Sequence, residues 1–220
     1  MRIRQTSSLG SLDPARSLWL DLADFPVTIT SSTEWESARA LILTGFEDLP
    51  LTLPAALAAL RSCGRPLIAV IDGPLVGEAA ELALLAPWRI GTRRATFTFQ
   101  FQAAPSPLGV IIGRDRQLEL RLTGRTVDAV AAAALGLLQV VVETEDAALR
   151  RAAQLAEQIG AGSPTATRLV IGAVEQGASR SLTDGLAVET RLFARSVVSA
   201  DAREGIDAFF DKRPPNFDGQ

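Results

Sequence analysis

Histidine and tyrosine are absent from the 220 residues, and cysteine and lysine occur once each, as Cys63 and Lys212. Without histidine, the chain cannot form a Ser-His-Asp triad, a Cys–His pair or a metal site with histidine ligands. A single cysteine excludes an internal disulfide, and we interpret Cys63 as a small core residue. Any acid–base chemistry must therefore fall mainly to carboxylates.

The charge balance excludes several classes of partner. The formal net charge is −3, with 21% charged and 47% hydrophobic residues, so no global basic field attracts nucleic acid or an anionic membrane. No apolar run reaches the roughly 20 residues that a membrane-spanning helix needs, and the N-terminal residues lack the apolar centre of a signal peptide. We expect a cytoplasmic globular protein without a nucleic-acid, membrane or metal partner.

Short apolar runs alternate with helical patterns along the first two thirds of the chain, which favours an α/β core. The pattern predicts strands at 17–22, 38–45, 67–71, 88–91, 95–99 and 138–142. It predicts helices at 53–63, 77–86, 117–122 and 127–135, and a turn at 72–74. From 145 onward the pattern is helical, with breaks at 160–164 and near 177. We therefore divide the chain into a core at 1–144 and a helical region at 145–220.

Four segments in one order carry a family resemblance. They are PLIAVIDGPLVG (66–77) with ELAL (81–84), RIG (89–91) with ATF (95–97), LTGR (122–125) with GLLQVV (136–141), and DAREGIDAFFDKRPPNF (201–217). Together they resemble the crotonase, or enoyl-CoA hydratase/isomerase, superfamily. The resemblance implies an α/β crotonase-like ββα spiral core and a C-terminal helical layer that forms trimers or hexamers. It also implies a substrate that is an acyl thioester of coenzyme A or of a carrier protein, with no separate cofactor.

The resemblance assigns roles to residues near the start of the 77–86 helix. Glu81 matches one of the two catalytic glutamates of the hydratases, and the backbone N–H of Glu78 matches a donor of the oxyanion hole. Preformed N–H donors at a helix start stabilise negative charge that develops on a thioester oxygen. Gly73, Gly77, Gln100 and Gln102 are the candidate substrate-binding residues. The apolar neighbours of Glu81 suggest at least partial burial. The alternatives are a solvated or ion-paired Glu81 and a Glu78 whose side chain only complements the helix dipole.

The sequence also departs from the family pattern at this site. Glu78 and Ala79 replace two glycines, and no acid stands at 97–105, where the second hydratase glutamate is expected. The glycine-containing loop that normally supplies the other oxyanion donor is missing after Gly45, and the segment between Gly109 and Leu122 is short. These differences argue against an ordinary hydratase. Glu47 or Asp48 is a candidate for a second carboxylate.

Two functions remain open. One is hydration, dehydration or isomerisation of an acyl thioester through an enolate. Among crotonase relatives, the chain looks most like the small accessory proteins of dihydroxyphenylacetyl-CoA formation in antibiotic biosynthesis, and such a helper can also carry out this chemistry. The similarity implies a type III polyketide synthase, or another crotonase-like protein, as a partner. The alternative is a catalytically degenerate subunit that stabilises or activates another thioester enzyme.

Overall fold

The structure, a computed structural model, describes residues 17–21, as backbone, together with 38–46, 60, 64–100, 106–178 and 180–219. Its main sheet has five parallel strands. In spatial order they are β1 (Ser17–Asp21), β2 (Ala40–Thr44), β3 (Leu67–Ile71), β5 (Trp88–Thr92) and β8 (Val140–Val142). The continuous apolar runs of β2 and β3 are typical of strands covered on both faces, and both strands are buried throughout most of their length.

A smaller sheet leads the chain to the candidate site. It contains β4 (Pro74–Val76), β6 (Thr96–Thr98) and β7 (Thr126–Asp128), with β4 parallel and β7 antiparallel to β6. The turn at Asp72 and Gly73 passes the chain from β3 to β4, and helix α1 (Glu78–Ala83) begins two residues after β4 ends. The start of α1 is therefore held by strands of both sheets.

Seven further helices follow in the described part of the chain. They are α2 (Leu108–Ile112), α3 (Arg114–Thr123), α4 (Ala129–Ala134), α5 (Glu145–Gly160), α6 (Pro164–Gly177), α7 (Leu182–Val197) and α8 (Ala200–Asp211). Side-chain oxygens cap five of them by accepting the N–H three residues later: Asp128, Thr144, Ser163, Ser181 and Ser199. Such caps satisfy backbone donors that have no partner inside the helix. The last four of them stand at the starts of α5, α6, α7 and α8, which make up the helical last third of the chain.

Apolar side chains fill the space on both faces of the main sheet. On one face, Ile42, Ile68 and Val70 pack with Ala148, Ala152 and Ala156 of α5, whose four-residue spacing puts small side chains on one stripe of the helix. On the other face a larger cluster joins strand residues to α1, β6 and α4. Helices α6 and α7 pack against each other. The division of the chain at residue 145 stays a prediction.

A buried guanidinium connects two turns next to α1. Arg89 is only 4% exposed and donates to the carbonyl oxygens of Ala86, Gly136 and Leu137. Burial lowers its pKa to about 10, so the side chain stays cationic at neutral pH. Its contacts fix the turn after α1 to the turn after α4, which holds the end of α1 in place.

Three sequence-based boundaries need correction. The helix predicted at 77–86 is α-helical only at Glu78–Ala83. Pro74, assigned to a turn, begins β4. Val127, predicted to be helical, lies in β7 opposite Phe97, where it is 1% exposed. Burial against Phe97 outweighs the local helical pattern, as strand context often does. Of the helix predicted at 53–63, only Leu60 is among the described residues, and it is helical.

None of the helices in the described ranges has both the length and the apolar character needed to cross a membrane.

Candidate active site

Gly77 sets the geometry at the start of α1. Its φ of 58° lies in the left-handed region, which glycine adopts without steric cost. Its N–H donates to the carbonyl of Thr98 at 2.9 Å, and a Cβ on Gly77 would lie 3.1 Å from Oε1 of Gln100. A glycine at this position therefore allows the chain to turn into α1 close to β6 and the residues after it.

Glu78 is the first residue of α1. Its side chain is exposed, and a carboxylate in the first turn interacts favourably with the helix dipole. Within the described residues, the N–H of Glu78 has no acceptor, so this donor is available for a ligand. Its role as an oxyanion donor stays a prediction.

Glu81 lies one turn further along α1 and is 4% exposed, as the apolar flanking residues predicted. Its Oε1 is 2.5 Å from an Nη2 donor of Arg121, and its Oε2 accepts a hydrogen bond from the hydroxyl of Ser106. Buried ionised groups are retained where they are paired and hydrogen-bonded. Glu81 is therefore both buried and ion-paired, with a protein partner on each oxygen.

The sequence analysis missed both partners of Glu81. The Ser106 oxygen also accepts the N–H of Leu108 at 3.0 Å, which orients the hydroxyl proton toward Glu81. A serine two residues before a helix is a recognisable helix-start signal. Arg121 interrupts a leucine-rich stretch between Leu120 and Leu122, but the sequence gives no sign that it faces an acid 40 positions earlier.

The other predicted residues have different surroundings. Gly73 is buried, and its carbonyl accepts the N–H of Thr96 at 3.3 Å. Gln100 is exposed; its side chain lies beside Gly77, and its carbonyl accepts a bond from Nη1 of Arg121 at 2.6 Å. The structure thus brings Gly77, Glu78, Glu81 and Gln100 together. Gln102, Glu47 and Asp48 lie outside the described residues, so their roles stay predictions.

A cavity of about 360 Å³ lies beside the residues that follow α1, and its mainly apolar lining also includes Arg65 and Glu175. Pro107, the neighbour of Ser106, lines it together with Leu84 and Leu85, which follow α1. Ile171 of α6 closes part of the opposite side. No group of three or more Cys, Asp or Glu residues that could hold a metal ion occurs in the ranges that the structure describes. Among the described residues, the site brings together the buried Glu81–Arg121 pair and the N–H of Glu78, and the neighbouring cavity carries Arg65 and Glu175 in its lining.

Similarity to known proteins is consistent with this arrangement. An enoyl-CoA hydratase/isomerase family model matches residues 47–220. A probable enoyl-CoA hydratase of Mycobacterium leprae is 36% identical over 173 residues, which are 73% of this chain and 64% of that protein. The mitochondrial methylglutaconyl-CoA hydratase of Mus musculus is 34% identical over 166 residues, which are 70% of this chain and 53% of that protein.

Solved structures agree on the architecture. A crystal structure of an enoyl-CoA hydratase from Mycobacterium smegmatis matches with a TM-score of 0.75 at 19% identity, over 93% of this chain and 96% of that one. The fold is thus the crotonase fold, as the sequence predicted. The chain belongs to the enoyl-CoA hydratase/isomerase family. It covers less than two thirds of the length of the curated relatives cited above.

Proposed function

We propose that this protein binds an acyl thioester of coenzyme A or of a carrier protein at the start of α1. Glu81 then moves a proton on the acyl group. The observation that carries this proposal is a buried acid, 4% exposed, placed one helical turn after an N–H donor that has no acceptor among the described residues. Coenzyme A enters only as part of the substrate, and no separate cofactor takes part.

The chemistry that fits one acid is proton transfer through an enolate. Glu81 takes a proton from the α-carbon, which is adjacent to the thioester carbonyl. The electron pair of the broken C–H bond moves toward the carbonyl and places negative charge on its oxygen. The N–H of Glu78 donates to that oxygen, and such preformed donors stabilise developing charge by several kcal/mol. Glu81 then returns the proton to another carbon, which is isomerisation, or gives it to a departing hydroxyl, which is dehydration.

The apolar cavity lined by Pro107, Leu84 and Leu85 supports a role in holding the acyl group. Apolar pockets with a few directed polar groups are the usual form of small-molecule sites. The family relatives are named as hydratases of enoyl-CoA and methylglutaconyl-CoA, which supports a thioester as the ligand class. Within that class, we propose a role in secondary metabolism, in which the protein assists a type III polyketide synthase in making dihydroxyphenylacetyl-CoA.

A second candidate function has its own observation. Both oxygens of Glu81 already have protein partners, Arg121 and Ser106. This favours a structural role for the acid, and with it a subunit that keeps the fold in order to stabilise or activate another thioester enzyme. The partner would be a polyketide synthase or another crotonase-like protein.

Enoyl thioester turnover tests the first function. Purified protein should interconvert a β,γ-unsaturated acyl-CoA and its α,β isomer, or dehydrate a 3-hydroxyacyl-CoA. Glu81→Gln should lower the rate by about 10²–10⁴-fold, which is the usual contribution of a positioned acid or base. Glu119→Gln is the matched control, because Glu119 lies on α3, half-exposed, and pairs with Arg125. Equal rates for wild type and Glu81→Gln would refute the catalytic role.

A synthase assay separates the two functions. The wild-type protein and Glu81→Gln are each added to a type III polyketide synthase with malonyl-CoA, and product formation is measured. Stimulation by the wild type that disappears in Glu81→Gln supports catalysis within the assembly. Full stimulation by Glu81→Gln, without isomerase activity, supports the partner-subunit function.

We also propose that the helical region forms a homo-oligomer, a trimer or hexamer. Helices α6 and α7 border a groove of about 680 Å³ with a mainly apolar lining. Large apolar side chains on α7 and α8 are more than half exposed in the single chain, among them Phe193, Phe209 and Phe210. Contiguous exposed apolar surface of this kind marks interaction surfaces. Sedimentation velocity of the full-length protein measures the oligomer directly.

A further inference from the structure

Arg121 links the acid of the site to the loop that follows β6. One end of its guanidinium lies 2.5 Å from Oε1 of Glu81, and the other donates to the carbonyl of Gln100 at 2.6 Å. The arginine side chain is 13% exposed and the glutamate side chain 6%. Arginine has a planar fork of donors and remains charged in proteins. This contact therefore places a permanent positive charge against the Glu81 carboxylate and sets the direction in which that carboxylate points.

We propose that Arg121 is a positioning residue, which holds the Glu81 carboxylate in one orientation and keeps a positive charge beside it while the acid moves the proton. This inference rests on the proposed function, because it concerns the same carboxylate. A cation in contact with a carboxylate stabilises the charged form, and water screens the pair little at this depth. Ser106 strengthens the effect by donating its hydroxyl to Oε2.

The acids nearest to this pair along α1 and α3 lie on exposed positions. On α1, Glu78 is exposed, one turn earlier. On α3, Glu119 is paired with Arg125 at 2.8 Å on the outer side of the helix. The segment at 101–105 reads FQAAP and carries no titratable side chain. Arg121 is therefore the charged group that the described residues place against Glu81.

The pH profile of thioester isomerisation tests the inference. In Arg121→Met, the acid limb of the kcat profile should move to higher pH by about 1–3 units, the usual effect of an adjacent opposite charge. Arg121→Lys should bring the limb most of the way back, because lysine restores the charge. Arg125→Met changes the net charge equally, next to the same helix, and should leave the limb in place. An acid limb in Arg121→Met that coincides with that of the wild type would overturn the proposal.

A measurement without turnover separates this proposal from the proposed function. Protein labelled with ¹³C at the glutamate carboxyl is titrated by NMR, and the Glu81 signal is assigned by its loss in Glu81→Gln. We expect the Glu81 titration of Arg121→Met to lie at higher pH than that of the wild type, even if neither protein isomerises a thioester. Superimposable titrations would reject the role of Arg121, whatever the activity. Arg121→Gln, which also removes the positive charge, gives the same comparison if the methionine variant does not fold.

Discussion

Replacing Asp201 by alanine removes a buried carboxylate that ties the first turn of α8 to two other parts of the chain. Asp201 is 2% exposed. Its Oδ2 accepts the hydroxyl of Ser163 at 2.5 Å and the N–H of Thr165 at 3.4 Å, both at the start of α6. Its Oδ1 accepts the N–H groups of Asp218 and Gly219 at 3.2 and 3.1 Å, in the C-terminal tail.

The expected cost follows from these four bonds. Hydrogen bonds to a charged group contribute about 1.5–3 kcal/mol each, and neutral ones about 1 kcal/mol. The bonds to Asp218 and Thr165 are long, and the tail N–H groups can bond to water once the carboxylate is gone. We therefore expect a loss of about 3 kcal/mol in the free energy of unfolding, which corresponds to roughly 6–12 °C in Tm for a chain of this size.

The loss should depend on pH. Burial acts to raise the pKa of Asp201, but the hydrogen bonds from Ser163 and from the N–H groups of Gly219, Thr165 and Asp218 outweigh it and hold the pKa below its ordinary value. A carboxyl whose pKa is lower in the folded state contributes stability above its unfolded pKa, about 3.9. That contribution disappears as the pH falls through the folded pKa. The difference between wild type and Asp201→Ala should thus be largest near neutral pH and shrink in acid.

Urea unfolding of both proteins, followed by circular dichroism from neutral pH into the acid range, measures this difference. Asp207→Ala is the control, because Asp207 is an exposed carboxylate on the same helix and should change stability by less than about 0.5 kcal/mol. A loss in Asp201→Ala no larger than the control, or one that grows as the pH falls, would refute the reasoning.

Three other variants test separate parts of the structure. Arg89→Met removes three hydrogen bonds and leaves the carbonyls of Ala86 and Leu137 without the arginine donor, whereas Gly136 keeps a bond from Gln139; it should cost about 3 kcal/mol in urea unfolding. Gly77→Ala places a Cβ 3.1 Å from Gln100 Oε1 at a positive φ; it should cost about 1–2 kcal/mol and weaken acyl-CoA binding in calorimetry. Exchanging Phe193 and Phe209 for serine should reduce the sedimentation coefficient, since both are largely exposed in the single chain.

Much of the fold could be predicted because its signals are local. The uninterrupted apolar run at Leu67–Ile71 is buried at every position, as a strand between two covered faces requires. Serine and proline mark the start of α6 as they do in many helices. The assignment failed at Val127, where a strand of three residues is fixed by its partner Phe97. A pairing with a residue 30 positions away leaves no periodic trace in so short an element.

The candidate site, like the fold, could be predicted only where its signals are local. The burial of Glu81 followed from its alanine and leucine neighbours on one short helix, whereas the role of the Glu78 N–H stays a prediction. The pairing with Arg121 depends on how α2 and α3 fold back over α1, and that is a tertiary arrangement. The sequence could therefore identify the acid but not its counter-charge, although the counter-charge determines what the acid can do.

The lack of histidine limits what this pair of charges can do. Arginine does not release a proton in the pH range of proteins, so Arg121 can hold Glu81 but cannot relay protons for it. No second carboxylate stands where the family places one, at 97–105. Water addition usually needs one group to orient the water and another to protonate carbon, whereas isomerisation needs one base that returns the same proton. Glu81 held by Arg121, without an acid at 97–105, thus fits isomerisation, or a dehydration that reuses its own proton, better than hydration.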